Sequence, residues 1–171
     1  EDAGVPHMLF LNKIDKAEGT LQDVLQLLQS ASSRPVVMRQ LPIYENDVAT
    51  GFIDLALERA FVYREHASSE VVKMGEAQKE EETEARFSML EKLADYDDKL
   101  MEQLLEDIEP PRDVVFDDLA RELRDGLIVP LFLGSAENGN GMLRLMKAFR
   151  HEVAGVAGTA ARLGAPEDGA P

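Results

Sequence analysis

The stretch Phe10-Leu11-Asn12-Lys13-Ile14-Asp15 decides how this chain of 171 residues is organised. It begins inside a short apolar run, Met8 to Leu11, that is typical of a buried strand. The polar tetrapeptide Asn-Lys-Ile-Asp follows at once, and apolar residues then repeat at helical spacing across residues 20–30. Because ligands of open α/β sheets bind just past the carboxyl ends of strands, this pattern predicts a binding loop at residues 12–15.

The side chains of this loop suit the edge of one particular base. The carboxylate of Asp15 offers two acceptors to the two parallel N–H donors of guanine, and adenine lacks that pair of donors. The amide of Asn12 can hold neighbouring loops or reach the base, while the stem of Lys13 can lie along the ring. A strand end that simply runs into a helix would carry the same residues, so the motif needs a second signal.

Composition restricts the class of protein. A hydrophobic fraction of 44% is enough for a folded core, in one domain or in one domain with a large insert. The formal net charge of −15 argues against direct contact with nucleic acid but permits a basic protein partner. The chain has no cysteine and its three histidines lack metal-ligand spacing, so no metal site is predicted. No apolar run approaches the ~18 residues of a membrane span, and we expect a cytoplasmic protein without membrane contact.

The middle of the chain changes from extended to helical character. Residues 36–43 form one continuous extended run, and further short strands are predicted at 52–57, 60–63 and 70–73. From Glu76 to Glu109 the chain carries 13 acidic and 4 basic side chains, a pattern typical of a solvated helical face or a docking surface. The apolar positions predicted to form helical core faces there are Phe87, Leu90, Ala94, Leu100, Met101, Leu104, Leu105 and Ile108.

A second nearly all-apolar run, Leu127 to Leu133, predicts a strand that is covered on both faces. It ends in Gly134-Ser135-Ala136, and the glycine spacing there lacks the lysine of a phosphate loop. Ser135 has no assigned histidine or acid partner, so no catalytic residue is predicted.

Residues 154–171, of which 12 are Ala, Gly or Pro, are interpreted as a linker or loose tail. The helix after the loop is predicted to bury Met142, Leu145, Met146 and Phe149.

The loops at residues 12–15 and 134–136 together predict one binding site. If the two buried strands are parallel neighbours, both loops emerge at the same edge of the sheet. Asp15 can then bind one side of guanine while the backbone N–H of Ala136 donates to O6, where adenine carries an amino group instead. The predicted nucleotide-binding residues are therefore Asn12, Lys13, Asp15, Ser135 and Ala136.

These residues resemble the GTP-binding region of the elongation factor G family of translational GTPases. Residues 12–15 are similar to the fourth guanine-nucleotide motif of that family, and Gly134-Ser135-Ala136 is similar to the fifth. Asp15 and Ser135 are separated by 120 positions, as in the family, where a subdomain is inserted between the two motifs. Further segments similar to the family are Leu41-Pro42-Ile43, Gly51-Phe52-Ile53-Asp54-Leu55, Lys99-Leu100-Met101-Glu102 and Ile128-Val129-Pro130.

The resemblance implies an α/β fold, the C-terminal part of a P-loop GTPase sheet interrupted by an α+β inserted subdomain. Residues 1–33 and 126–153 would belong to the GTP-binding domain, with two strands of its sheet, and residues 34–125 to the insert. The implied ligand of the intact parent is GTP or GDP. The phosphate loop, the switch regions and the Mg²⁺ ligands would precede residue 1, so this stretch alone is expected to be inactive as a GTPase.

The resemblance also implies partners: the ribosome, and a basic ribosomal stalk protein that docks on the acidic part of the insert, about 76–109. No direct contact with nucleic acid is expected. Glu137-Asn138-Gly139-Asn140-Gly141 replaces a more basic run of the family, and the tail lacks a proline-rich exit, so an elongation factor G-like paralogue is favoured over the main translocase. A ribosome-protection GTPase of the tetracycline-resistance type and a non-catalytic acidic interaction module remain as alternatives.

Overall fold

The computed structural model describes residues 5–16, 20–64, 67–155 and 158–159, which leaves most of the predicted tail at 154–171 outside the described residues. A single 3-10 turn, Ile14–Lys16, follows the first strand. The strands are β1 (Leu9–Leu11), β2 (Val36–Met38), β3 (Gln40–Glu45), β4 (Val48–Asp54), β5 (Arg59–Arg64), β6 (Ala67–Val72) and β7 (Val129–Leu133). The helices are α1 (Leu21–Ser30), α2 (Glu76–Ala94), α3 (Asp98–Leu105), α4 (Arg112–Arg124) and α5 (Met142–Glu152).

A parallel sheet carries both predicted loops. Its strand order is β1-β7-β2, so β7 lies between two strands that precede it in the chain. Leu9 of β1 pairs with Leu131 of β7, and Val36 of β2 pairs with Val129 on the other side. Apolar residues of α1 pack against Leu131, whereas α5 packs against Phe132 on the opposite face. All five residues of β7 are buried, which explains why its sequence is nearly all apolar.

An antiparallel sheet of the order β3-β4-β5-β6 begins the insert. The β3–β4 hairpin turns at Asn46 and Asp47, which have φ values of 51° and 64°, in the left-handed region that these two residue types tolerate. Phe52 and Phe61 stack across β4 and β5 with ring centroids 5.0 Å apart. A Cβ at Gly51 would lie 2.2 Å from the carbonyl oxygen of Phe61, so the strands approach this closely because residue 51 is glycine.

The extended run predicted at residues 36–43 is in fact two strands in two different sheets. β2 pairs with β7 while β3 pairs with β4, and Arg39 is the residue between them. The described part of the parallel sheet therefore has three strands rather than the two expected. Val36–Met38, which the predicted division assigned to the insert, pairs in the parallel sheet. The division itself stays a prediction, with its first boundary moved from residue 34 to Arg39.

Helices α2, α3 and α4 share one apolar core with the β4–β5 turn and with Val37 of β2. The buried face of α2 lies at Arg86, Met89, Leu90 and Leu93, which follow helical spacing. Phe87 is one position off this face, and the prediction that it is core is wrong. The residues predicted as core that are instead exposed are Phe87 (49%), Met101 (36%), Leu105 (79%), Ile108 (47%), Met146 (48%) and Phe149 (48%).

Buried polar contacts join α5 and the insert to the parallel sheet. Nη1 of Arg39 lies 2.5 Å from Oε2 of Glu152, and both side chains are almost fully buried. The side chain of Gln40, also buried, accepts a hydrogen bond from the backbone N–H of Leu133 at 2.8 Å. Because Leu133 is the last residue of β7, the first residue of β3 fixes the strand end that leads into the second predicted loop.

Candidate functional site

The first predicted loop turns sharply after β1. Lys13 has a φ of 62°, and Oδ1 of Asn12 accepts a hydrogen bond from the backbone N–H of Lys13 at 2.9 Å. Ile14 is buried, and its N–H donates to the carbonyl of Gly134 at 3.1 Å. The isoleucine therefore anchors the loop to the end of β7, while Asn12 and Lys13 stay exposed.

Backbone hydrogen bonds, one to β1 and one within the loop, hold the second predicted loop. The N–H of Gly134 donates to the carbonyl of Leu11, and the N–H of Ser135 donates to the carbonyl of Asn140, both at 3.0 Å. A Cβ at Gly134 would lie 2.2 Å from the carbonyl oxygen of Asn140 and 2.8 Å from the ring of Phe10, so a larger residue would open the loop. Ser135 is buried, and its hydroxyl has no hydrogen-bond partner within the described part of the chain.

Hydrogen bonds join the two loops to each other. The backbone N–H of Ala136 donates to Oδ1 of Asn12 at 2.9 Å, and Nδ2 of Asn138 donates to Oδ2 of Asp15 at 3.3 Å. The donor that was expected to meet guanine O6 thus contacts Asn12 in this structure. The structure nevertheless brings both loops together at one edge of the parallel sheet. The residues placed there are Asn12, Lys13, Asp15, Ser135 and Ala136, all five of the predicted set.

An ion pair also links the loops. Nζ of Lys16 lies 2.9 Å from Oε2 of Glu137, and the two side chains are 59% and 68% exposed. The hydrogen bond from Glu137, followed by its charge, raises the pKa of the Lys16 ammonium. Salt and water screen so exposed a pair, so it guides the relative position of the loops more than it stabilises the fold.

Asp15 is the group whose surroundings best suit a ligand. Its Oδ1 atom is buried and has no hydrogen-bond partner among the described residues. Burial raises the pKa of the Tyr63 phenol, and the nearby charge of Asp15 raises it further. An unpaired carboxylate oxygen suits a ligand with N–H donors, and the unpaired hydroxyl of Ser135 adds a second polar group at the same edge.

Four residues of this site were not predicted from the sequence, namely Lys16, Tyr63, Glu137 and Asn138. Glu137 and Asn138 were noted only as departures from a family pattern, because their contacts depend on the path of the loop. Tyr63 belongs to β5 of the insert, and only the packing of the insert places it near Asp15. No spacing pattern in the sequence indicates a contact of that kind.

A separate cleft of about 800 Å³ lies between α5 and the antiparallel sheet. Phe52 and Phe61 form part of its apolar wall, and Arg144 and Lys147 line it from α5. Arg144 pairs there with Asp54. None of the five predicted nucleotide-binding residues lines this cleft, so it is not part of the site at the sheet edge.

The fold and the site define an α/β protein in which two strand-end loops meet at one edge of a parallel sheet. No family model matches the sequence. The chain is 40% identical over 169 residues to an elongation factor G-like protein of Synechocystis, which covers 99% of the chain and 25% of that protein. It is 31% identical over 146 residues to elongation factor G 1 of Borreliella afzelii, across 84% of the chain and 21% of the relative.

A crystal structure of a Thermus thermophilus protein superposes with a TM-score of 0.79 at 26% identity, covering 95% of this chain and 24% of that one. The chain belongs to the elongation factor G family, whose named members here are translation elongation factors. It spans about a quarter of the length of these relatives. None of the helices in the described ranges is long and apolar enough to cross a membrane.

Proposed function

We propose that this chain is the guanine-recognition part of a ribosome-associated, elongation factor G-like GTPase whose ligand is GTP or GDP. The observation that carries the proposal is the meeting of Asp15 and Ala136 at one sheet edge, where the relevant loops are joined by hydrogen bonds. The unpaired Oδ1 of Asp15 and the unpaired hydroxyl of Ser135 support a polar ligand there. Membership of the elongation factor G family supports the identity of that ligand.

Each residue has a distinct role in the proposed site. Asp15 accepts the N1–H and N2–H donors of guanine, and the N–H of Ala136 donates to O6 after it leaves Asn12. Asn12 then still holds the turn of the first loop through the N–H of Lys13. The stem of Lys13 lies along the ring with its ammonium group in water. Phosphoryl transfer requires a phosphate cradle and Mg²⁺, and we assign neither to the residues described.

The proposal is tested by exchanging Asp15 for Asn in the full-length protein. The new amide places an N–H donor opposite the exocyclic amine of guanine, and unpaired buried polar groups cost about 1–3 kcal/mol each. We expect the affinity for GTP to fall at least about tenfold. Xanthosine triphosphate carries a carbonyl at that position, so its affinity should rise. Titration with both nucleotides measures the change, and the exposed Asp125→Asn variant is the matched control.

A reversal of base preference by Asp15→Asn alone supports the assignment. If Asp15→Asn retains the GTP preference of the wild-type protein while circular dichroism reports an intact fold, residues 12–15 do not read the base. If the wild-type protein binds no guanine nucleotide at all, the non-catalytic interaction module becomes the better description.

A second function is proposed for the acidic part of the insert, residues 76–109, as a docking face for a basic ribosomal stalk protein. Glu80, Glu81 and Glu84 are exposed on α2, and Phe87 beside them is 49% exposed. Glu80, Glu84 and Phe87 line a common surface depression. An aromatic ring surrounded by carboxylates suits a partner that offers an apolar side chain among lysines and arginines.

A further inference from the structure

The base-reading groups of the two loops are already engaged with each other. Of the two oxygens of the Asp15 carboxylate, Oδ1 is buried, and Oδ2 accepts the side-chain amide of Asn138 at 3.3 Å. The N–H of Ala136 is also engaged, by Oδ1 of Asn12 at 2.9 Å. A base that enters this edge therefore finds one of its two acceptors on Asp15, and its donor on Ala136, occupied by side chains of this chain.

We propose that Asn138 is an affinity- and specificity-determining residue, an internal competitor that occupies the Asp15 oxygen needed by the exocyclic amine of guanine. The inference rests on the proposed function and deepens it. The amide of Asn138 is an N–H donor, as is the guanine amine, so the two groups compete for the same acceptor. The ion pair between Lys16 and Glu137, the residue before Asn138, holds the amide within reach of Asp15.

Competition of this kind has a signature that depends on the base. Guanine uses both oxygens of Asp15, one for N1–H and one for the amine. Hypoxanthine lacks the amine and uses one oxygen, so it can bind while Asn138 keeps the other. Asn138 therefore lowers the affinity for guanine nucleotides more than the affinity for inosine nucleotides, so the ratio of the two affinities becomes smaller. It also speeds the release of a bound guanine nucleotide, because Asn138 can take over the vacated hydrogen bond.

The experiment compares the full-length wild-type protein with Asn138→Ala and with Asn140→Ala. Asn140 lies in the same loop and contacts Ser135 through its backbone carbonyl, so its truncation is the matched control. Equilibrium affinities for GDP and for inosine diphosphate are measured together with the GDP release rate. In Asn138→Ala we expect GDP to bind about threefold to tenfold more tightly and to leave more slowly, the change expected for one competing hydrogen bond. The affinity for inosine diphosphate should change much less.

A larger ratio of GDP to inosine diphosphate affinity in Asn138→Ala, with Asn140→Ala like the wild type, supports the proposal. It is overturned if Asn138→Ala binds GDP no more tightly, because Asn138 then orients Asp15 instead of competing for it. It is equally overturned if both nucleotides gain affinity by the same factor, since that result reports a general opening of the loop. Loss of guanine binding by all three proteins, each folded, rejects the proposed function and this inference together.

Discussion

Glu122 on α4 is a buried carboxyl group with too few partners. Its side chain is fully buried beside Asp118, and the only cation near the two in the described residues is Arg121, which lies 2.6 Å from Asp118 and 3.5 Å from Glu122. Oε2 of Glu122 and Oδ2 of Asp118 have no hydrogen-bond partner in this part of the chain. Burial, followed by the charge of Asp118, raises the pKa of Glu122 from 4.5 to about 8.

This raised pKa makes stability depend on pH. The folded state favours the protonated carboxyl group, so its contribution is fully present below pH 4.5, the unfolded value, and is lost as pH rises through about 8. We expect Glu122→Gln to stabilise the fold at pH 8 relative to the wild type by roughly 2–4 kcal/mol, with little change at pH 5. Urea denaturation at both values measures this. The exposed Asp113→Asn on the same helix is the control, and equal stabilisation at both pH values would contradict the prediction.

The placement of the predicted site residues at one sheet edge could be predicted from the sequence because they lie in loops that follow strand ends. The loops that carry Asp15 and Ser135 begin where apolar runs end, and the topology of parallel strands then fixes the edge at which they lie. The hydrogen bond between Asn138 and Asp15 could not be predicted. It depends on the turn that the Gly139 and Gly141 backbone adopts, with φ values of 72° and 77°, and side-chain patterns do not encode that path.

At the scale of elements, Arg39 lies between β2 and β3 and is held there by contacts from α5 and β7. Its guanidinium lies 5.3 Å from the centre of the Phe132 ring and forms an ion pair with Glu152 at the end of α5. A continuous extended run from 36 to 43 contains no turn signal, so the sequence indicated one strand. The burial of a charged side chain at its centre is the physical reason for two.

Removal of one partner of this ion pair should be costly. We expect Glu152→Leu to lower the free energy of unfolding by about 3–5 kcal/mol, because it leaves the Arg39 charge buried and unpaired. The double variant Arg39→Met with Glu152→Leu should recover most of that loss. Chemical denaturation of the three proteins measures the coupling.

The matched control is Lys79→Ala, which removes the exposed ion pair with Glu76 and should change stability by less than about 1 kcal/mol. If the double variant is as unstable as Glu152→Leu, the loss comes from packing at α5 rather than from the unpaired charge.

For the whole molecule, the net charge of −15 is concentrated on the insert. If a basic stalk protein docks on α2 as proposed, changing Glu80, Glu81 and Glu84 to lysine slows that association and flattens the salt dependence of its rate, because complementary fields mainly accelerate encounter. Stopped-flow measurements at several ionic strengths test this prediction. Glu82 is left unchanged because it is buried.

The control variant changes three exposed acids outside residues 76–109 to lysine and so alters the net charge equally. These residues are Glu45, Asp113 and Asp125. If both triple variants slow association to the same extent, the whole charge of the molecule attracts the partner and α2 is not a specific docking face.

The overall architecture was predictable where apolar patterns were strong and uninterrupted. β7 buries its whole run in the parallel sheet and β1 buries its run only partly, and the family resemblance predicted an inserted subdomain between them. The faces of α2 and α5 were only partly predicted, because apolar residues such as Phe87 and Phe149 share helical spacing with core positions yet stay exposed. Spacing alone does not indicate which side of an apolar stripe meets a partner.

The position of β7 between β1 and β2 also dictates an order of assembly. Within the described residues β1 and β2 do not pair with each other, and β7, the strand that joins them, is synthesised only after the entire insert. The β3–β4 hairpin needs only the contact of Glu45 with Val48, and such local contacts form before those that close long loops. As the chain emerges from its N-terminus, we expect the antiparallel sheet to fold first. The two loops that meet at Asp15 then come together only after the insert between them has been synthesised.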